Sequence, residues 1–342
     1  MTLDIAKKSI DWIFNNVPKE ADGVEIHFIG GEPLLEFELI KDIAGYVWGE
    51  KKAIPFILFS TTNGTVLTNE MKKWFTVNKE RFWLCLSLDG TKDTHDHNRC
   101  NSFDMIDIDF FLRTWPEQGV KMTLSDYSFS RLAKDIKYLH SLGIAEIDGV
   151  NPAEGDFDWD KDEYLEILIP QFAELVEYYV ENDKIKPCQM FDKQLSLCEA
   201  EKSTRNWCGI GTGVSFFDVD GKIYPCSVVT PMTFSQKELN EIMKTDFHNE
   251  QLFVDEECIN NCYIYHICPT CAAANYLVNK TFKRRLRNKC RINKLLTLFM
   301  ADMEAKRIQK DPKRYDAKEL YHTIEAIKKI RALYIDDFKK FF

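Results

Sequence analysis

Nine of the chain's 11 cysteines lie between positions 188 and 290, and seven of those nine are spaced as ligands of soft metals are. Cys258, Cys262, Cys268 and Cys271 follow one another with gaps of three, five and two residues, and Cys290 comes after 18 more. Cys208 and Cys226 bracket residues 214–225, which read as two short strands joined at Asp220-Gly221. Thiolates from a tight loop, closed by one from further along, suit an iron–sulfur cluster; four thiolates suit zinc as well. Disulfides are disfavoured, because the chain opens without the basic and apolar regions of a signal peptide and a cytoplasmic, reducing location is expected. Cys85, Cys100 and Cys188 read as ordinary thiols, and Cys198 as a spare ligand.

Other chemistry-bearing residues fall in three short polar segments: Gly30-Gly31-Glu32-Pro33, Thr61-Thr62-Asn63-Gly64 and Ser87-Leu88-Asp89-Gly90. Each follows a run that reads as a strand. Apolar residues at helical spacing over 3–15, 34–48, 69–78, 103–115 and 130–142 alternate with strand-like runs at 24–29, 54–60, 82–88, 120–125 and 145–150. Such repetition predicts parallel strands with right-handed crossovers, in a partial or full barrel or a doubly wound sheet. The three polar segments then share the carboxyl edge of the sheet, where ligands bind in such folds. Each alone could be no more than a turn.

Bulk properties narrow the partners. The net charge of −9 and sequence pI near 5.4 argue against nucleic acid, and no apolar run approaches the roughly 18 residues needed to span a membrane. A local basic run, Lys283, Arg284, Arg285, Arg287 and Lys289, reads as a solvated loop or as a ribbon facing an anionic group. Helices are expected over 164–179, 291–309 and 316–341.

The order Gly30-Gly31-Glu32-Pro33, then Thr62-Asn63-Gly64, then Ser87-Leu88-Asp89-Gly90 with His95-Asp96 and Arg99, resembles the radical S-adenosylmethionine (AdoMet) enzymes that carry a SPASM domain, the sulfatase- and peptide-maturating group. The likeness runs from about residue 3 to 295. It implies an α/β fold: a partial TIM-type barrel missing its first strand over 1–187, a small cysteine-rich SPASM domain with a β-hairpin over 188–297, and a C-terminal helical tail over 298–342. It also implies AdoMet at Gly30, Gly31, Glu32, Ser87 and Arg99, with Thr62 and Asn63 nearby, although Glu32 could equally cap the next helix and Arg99 form an ion pair. Two auxiliary 4Fe–4S clusters follow from the same resemblance, one on Cys258, Cys262, Cys268 and Cys290, the other on Cys208, Cys226 and Cys271. The second of these sets is one thiolate short, and Cys198 or a non-cysteine group could complete it.

Three departures from the family pattern matter. The four-cysteine run has its outer gaps exchanged. Ser227 stands where sulfatase-maturating members carry an aspartate base, which favours peptide modification over formylglycine formation. No cysteine precedes Cys85, so the CxxxCxxC loop that holds the AdoMet-cleaving cluster does not occur. The expectation is therefore a chain that does not generate the 5'-deoxyadenosyl radical by itself, read as a fragment begun at an internal Met rather than a shortened paralogue. The partners implied are a peptide or protein substrate and a reductant or active partner enzyme. The alternative is a non-catalytic iron–sulfur or zinc module.

Overall fold

The computed structural model describes residues 1–150, 157–199 and 208–341, which divide into two compact units. The first takes 1–122, 138–148 and 216–224; the second takes 123–137, 149–215 and 225 onward.

Burial alternates along Phe56–Thr62, the second strand of the first unit, while Phe82–Ser87 is buried at most positions. Strands β1 (Val24–Phe28), β2 (Phe56–Thr62), β3 (Phe82–Ser87), β4 (Val120–Lys121) and β5 (Ile147–Asp148) form one sheet in the order β1-β2-β3-β4-β5, every neighbour parallel. Parallel strands adjacent in sequence order, each reached through helical chain, make the topology of a partial β/α barrel. The connecting helices are α1 (Leu3–Asn15), α2 (Phe37–Gly49), α3 (Asn69–Asn78), α4 (Lys92–Asn98), α5 (Ile108–Thr114), α6 (Asp126–Phe129) and α7 (Leu132–Ser141). On one face of the sheet Leu58 and Phe82 are fully buried, and Phe82 joins Trp74 and Phe75 of α3 at ring separations of 5.6 and 5.2 Å. The opposite face carries, in register, His27, Phe59 and Trp83, and then Ser87, Lys121 and Asp148.

Two expected strands are shorter than the apolar pattern suggests. The run from 120 stops at Lys121 because Ser125 caps α6: its hydroxyl accepts Ser128 N–H, and the Ser128 hydroxyl in turn accepts the Ser125 N–H. The run from 145 is strand only at Ile147–Asp148, and Gly149 turns the chain with φ +72°. The expected helix over 103–115 likewise begins late, where Asp107 caps Phe110 N–H at 3.1 Å.

The hairpin between Cys208 and Cys226 forms as the Asp-Gly signal predicts. Strands β6 (Phe216–Phe217) and β7 (Ile223–Tyr224) pair antiparallel, with Gly221 at φ +83° in the turn. It belongs to the first unit, where Phe217 meets the ring of Trp12 on α1 at 5.5 Å.

The second unit is helical: α8 (Asp162–Glu181), α9 (Gln236–Ile242), α10 (Glu256–Asn261), α11 (Ala272–Asn279), α12 (Cys290–Lys310) and α13 (Ala317–Tyr334). Phe172, Leu175 and Tyr179 of α8 are fully buried, and α8 packs on α12. The Tyr179 hydroxyl accepts the Cys188 N–H at 2.9 Å, which locks Cys188 into this core as an ordinary buried thiol. The single helix expected over 316–341 is α13 followed by a tighter turn, Asp336–Phe341, that buries Phe338. Among the described residues no helix is long and apolar enough to cross a membrane.

Candidate functional site

The glycine-bearing segments meet at the carboxyl edge of β1, β2 and β3, and Glu32 ties two of them together. Its Oε1 accepts Leu34 N–H at 3.0 Å and the Thr62 hydroxyl at 2.9 Å, while Oε2 accepts Asn63 N–H at 2.8 Å. The Thr62 hydroxyl, itself buried, accepts Gly64 N–H at 3.0 Å. Both carboxylate oxygens of Glu32 are thus spent on holding the loop after β1 against the loop after β2. The helix-capping role is real and part of a larger tie. Gly30 and Gly31 stay exposed, and a Cβ added at either would meet no atom within 4 Å.

Beyond β3, the chain is fixed by an ion pair. Arg99 donates Nε to Asp89 Oδ2 at 2.8 Å and Nη2 to Oδ1 at 3.1 Å, and Asp89 has no solvent exposure. His95, also without exposure, accepts the Asp89 N–H on Nδ1 at 3.3 Å and so carries its proton on Nε2, 3.2 Å from the Ser102 hydroxyl. Burial lowers the His95 pKa. Arg99 is therefore positioned as a structural clamp for this loop. Replacing it with Ala should destabilise the first unit by about 3 kcal/mol, because a buried carboxylate loses its partner. Lys should recover only part, since its point charge cannot match the two-pronged geometry. Denaturant unfolding of the three proteins measures both effects.

Ser87 ends β3 half-buried, in register with Lys121. Strand alternation puts Lys121, His27 and Phe59 on its side of the sheet, with the Lys121 ammonium 5.2 Å over the Phe59 ring. Burial, and then the charge of Lys121, hold the His27 pKa down to about 4, so this imidazole is neutral near pH 7. Alternation within one strand cannot place residues of different strands on a common face; the register is what puts His27, Phe59 and Lys121 on the Ser87 side.

The seven candidate metal thiols lie in the second unit. Burial pushes Cys258 and Cys290 up to about 12; Cys262 acts on both, and Cys268 and Cys258 act on Cys290 as well. Cys226 is raised by burial and by Cys208. Cys271 caps α11, its sulfur accepting Ala274 N–H at 3.5 Å. Burial pushes the thiol of Cys198 up to about 12. Among the described residues no three His, Cys, Asp or Glu side chains converge at metal-binding distance.

The basic run before Cys290 differs from a solvated loop. Arg285 and Lys289 are buried, and Arg287 pairs with Asp255 at 3.0 Å and Glu257 at 3.0 Å. Arg285 donates Nη1 to the carbonyls of Tyr265 and Cys268 at 3.1 and 3.2 Å, with its guanidinium carbon 3.8 Å from the centre of the Tyr265 ring. Nε of Arg285 and Nε of Arg287 are buried without a partner. The Arg285 guanidinium is thus held inside by carbonyls and a ring rather than by a carboxylate.

No family model matches the chain, and neither does any curated protein sequence. Solved structures do. One described as native anSMEcpe with bound AdoMet, an anaerobic sulfatase-maturating enzyme, is 18% identical with a TM-score of 0.62, covering 96% of this chain and 91% of that one. A histidine-tagged form with bound AdoMet gives a TM-score of 0.64 at 18% identity over 95% and 90%. The native form with AdoMet and Cp18Cys peptide gives 0.61 at 17% identity over 96% and 92%. The α/β chain described above, from its five-stranded parallel sheet to its cysteine-bearing helical part, has the fold of an anaerobic sulfatase-maturating enzyme.

Proposed function

We propose that this chain is a radical AdoMet/SPASM-type protein related to enzymes that modify peptides. In this reading AdoMet sits against Gly30, Gly31 and Ser87, in loops held by Glu32, Thr62, Asn63 and Arg99, and two auxiliary 4Fe–4S clusters sit at the seven thiols. The observation that carries it is the tie through Glu32, which stiffens the edge of the sheet while leaving two open glycines, in a fold shared with structures that hold AdoMet and peptide. Residues 1–187 form the barrel part, 188–297 the cluster part and 298–342 a helical tail, in the cytoplasm.

The chain's own residues divide the work. Open backbone at Gly30 and Gly31 admits the polar end of AdoMet, and Ser87 offers a hydroxyl at the next strand end. Glu32 and the Asp89–Arg99 pair act by keeping these loops in place. The soft donor set and the buried Arg285 guanidinium fit an iron–sulfur group at Cys258, Cys262, Cys268 and Cys290, and such a group would supply iron able to accept an electron or ligate substrate. The sequence does not fit the third, AdoMet-cleaving cluster, because CxxxCxxC does not occur in it, and no radical step is assigned to these residues.

Anaerobic purification with iron, sulfide and zinc measured per chain, together with equilibrium dialysis of AdoMet, tests the reading. About eight iron atoms and saturable AdoMet binding are expected, with no 5'-deoxyadenosine formed by this polypeptide under dithionite. Zinc without iron would sink the cluster assignment, and 5'-deoxyadenosine from the same chain would overturn its inactivity in cleavage.

A further inference from the structure

A cleft of about 410 Å³ lies wholly within the second unit, between residues 183–195, the end of α12, the start of α13 and the turn that joins those two helices. Its size falls in the roughly 300–1,000 Å³ span of small-molecule sites, and no cysteine lines it. The carboxylates around it already have partners. Buried Arg307 donates Nη1 to Glu304 Oε1 at 3.1 Å, and the Tyr315 hydroxyl donates to the other oxygen of Glu304. Gln194 Nε2 donates to Glu319 Oε1 at 2.9 Å. Asp192 lies 3.7 Å from the Lys186 ammonium, and Asp183 3.9 Å from that of Lys310.

The groups left over are donors. Thr323 of α13 lines the cleft and is only 3% exposed. A threonine inside a helix commonly donates to the carbonyl four residues back, as Thr297 does to Asn293 at 2.7 Å, yet the Thr323 hydroxyl makes no hydrogen bond among the described residues. Lys193 makes neither a hydrogen bond nor an ion pair among them, and burial lowers its pKa, as befits an amine without a counter-ion. Lys184 and Arg314, both exposed, also line the cleft with no carboxylate partner among the described residues. A hydroxyl and an amine left unpaired inside a protein cost free energy that a ligand rich in acceptors recovers.

We infer that this cleft is a binding site for a small polyvalent oxyanion, a compound that carries phosphate or carboxylate groups. Its oxygens accept from the Thr323 hydroxyl and the Lys193 amine, while the charges of Lys184 and Arg314 balance its own. An anion beside Lys193 also opposes the effect of burial and keeps the amine protonated. None of these residues belongs to the proposed AdoMet or cluster sites, so the inference stands apart from that reading.

Calorimetric titration of the full chain with inorganic pyrophosphate and, separately, with citrate, both at fixed ionic strength and without added divalent metal, tests it. Saturable binding of one or both at one site per chain is expected, and which of them binds tells phosphate from carboxylate. Lys193→Met should weaken that binding about tenfold, and Thr323→Val and Lys184→Gln about threefold each. Thr323→Val exchanges the hydroxyl for a methyl of similar volume, and Lys184 is exposed, so these two variants keep the measurement possible if Lys193→Met folds poorly. Heats of dilution alone with both anions would overturn the inference. So would affinities within about twofold of wild type in all three variants.

Discussion

Replacing Cys258 and Cys262 together with Ser should halve the iron bound per chain, from about eight atoms to about four, with sulfide falling in step. The expected halving rests on the proposed division of the seven thiols between two clusters. Each group should therefore lose its metal independently, and Cys226→Ser should remove the complementary half. Because metal binding free energy is also folding free energy for the loops that supply the ligands, the double variant should lose protease resistance around α10 before the sheet unfolds. Metal analysis with limited proteolysis reads both effects. Loss of all iron on removing Cys258 and Cys262 would mean that the thiols serve a single centre.

Gly31→Ala should weaken AdoMet binding at least tenfold, about 1.4 kcal/mol, with no change in the unfolding midpoint. Gly31 is not in the left-handed region, and the added methyl would touch nothing in the chain, so only a bound ligand can object to it. Gly64 supplies the contrast. It holds φ +76°, and a Cβ there would come 2.9 Å from Leu86 Cδ1, so Gly64→Ala should lower stability and binding together. Equilibrium dialysis beside thermal unfolding separates the two cases. Unchanged affinity in Gly31→Ala would move the AdoMet site away from this loop.

The sheet was readable because its order needs only local information: apolar runs such as 82–88 alternate with helical spacing, and a parallel β/α sequence has few ways to fold. What failed was local as well. The runs from 120 and 145 continue to look like strands past the points where a serine cap and a left-handed glycine end them. The site was legible to the level of which loops, not which bonds. Glu32 and Thr62 are 30 residues apart, and nothing in their spacing says that one carboxylate will serve both loops. The basic run at 283–289 shows the limit of counting charge. Burial of Arg285 and Lys289 depends on where Asp255, Tyr265 and Cys268 lie in space, and cations that look alike in sequence divide between solvent and interior.

Tyr334 carries a consequence for how the protein is made. It contacts Cys262 across 72 residues of chain. At the usual 5–20 residues per second, a ribosome needs roughly 4 to 14 s after Cys262 before Tyr334 is even synthesised. During that interval the thiols of the second unit are without the aromatic stopper that α13 will set against them. In the proposed reading, assembly of the metal centre is then a late event in the life of the nascent polypeptide, and loading must either wait for α13 or shield the sulfurs from oxygen until it docks.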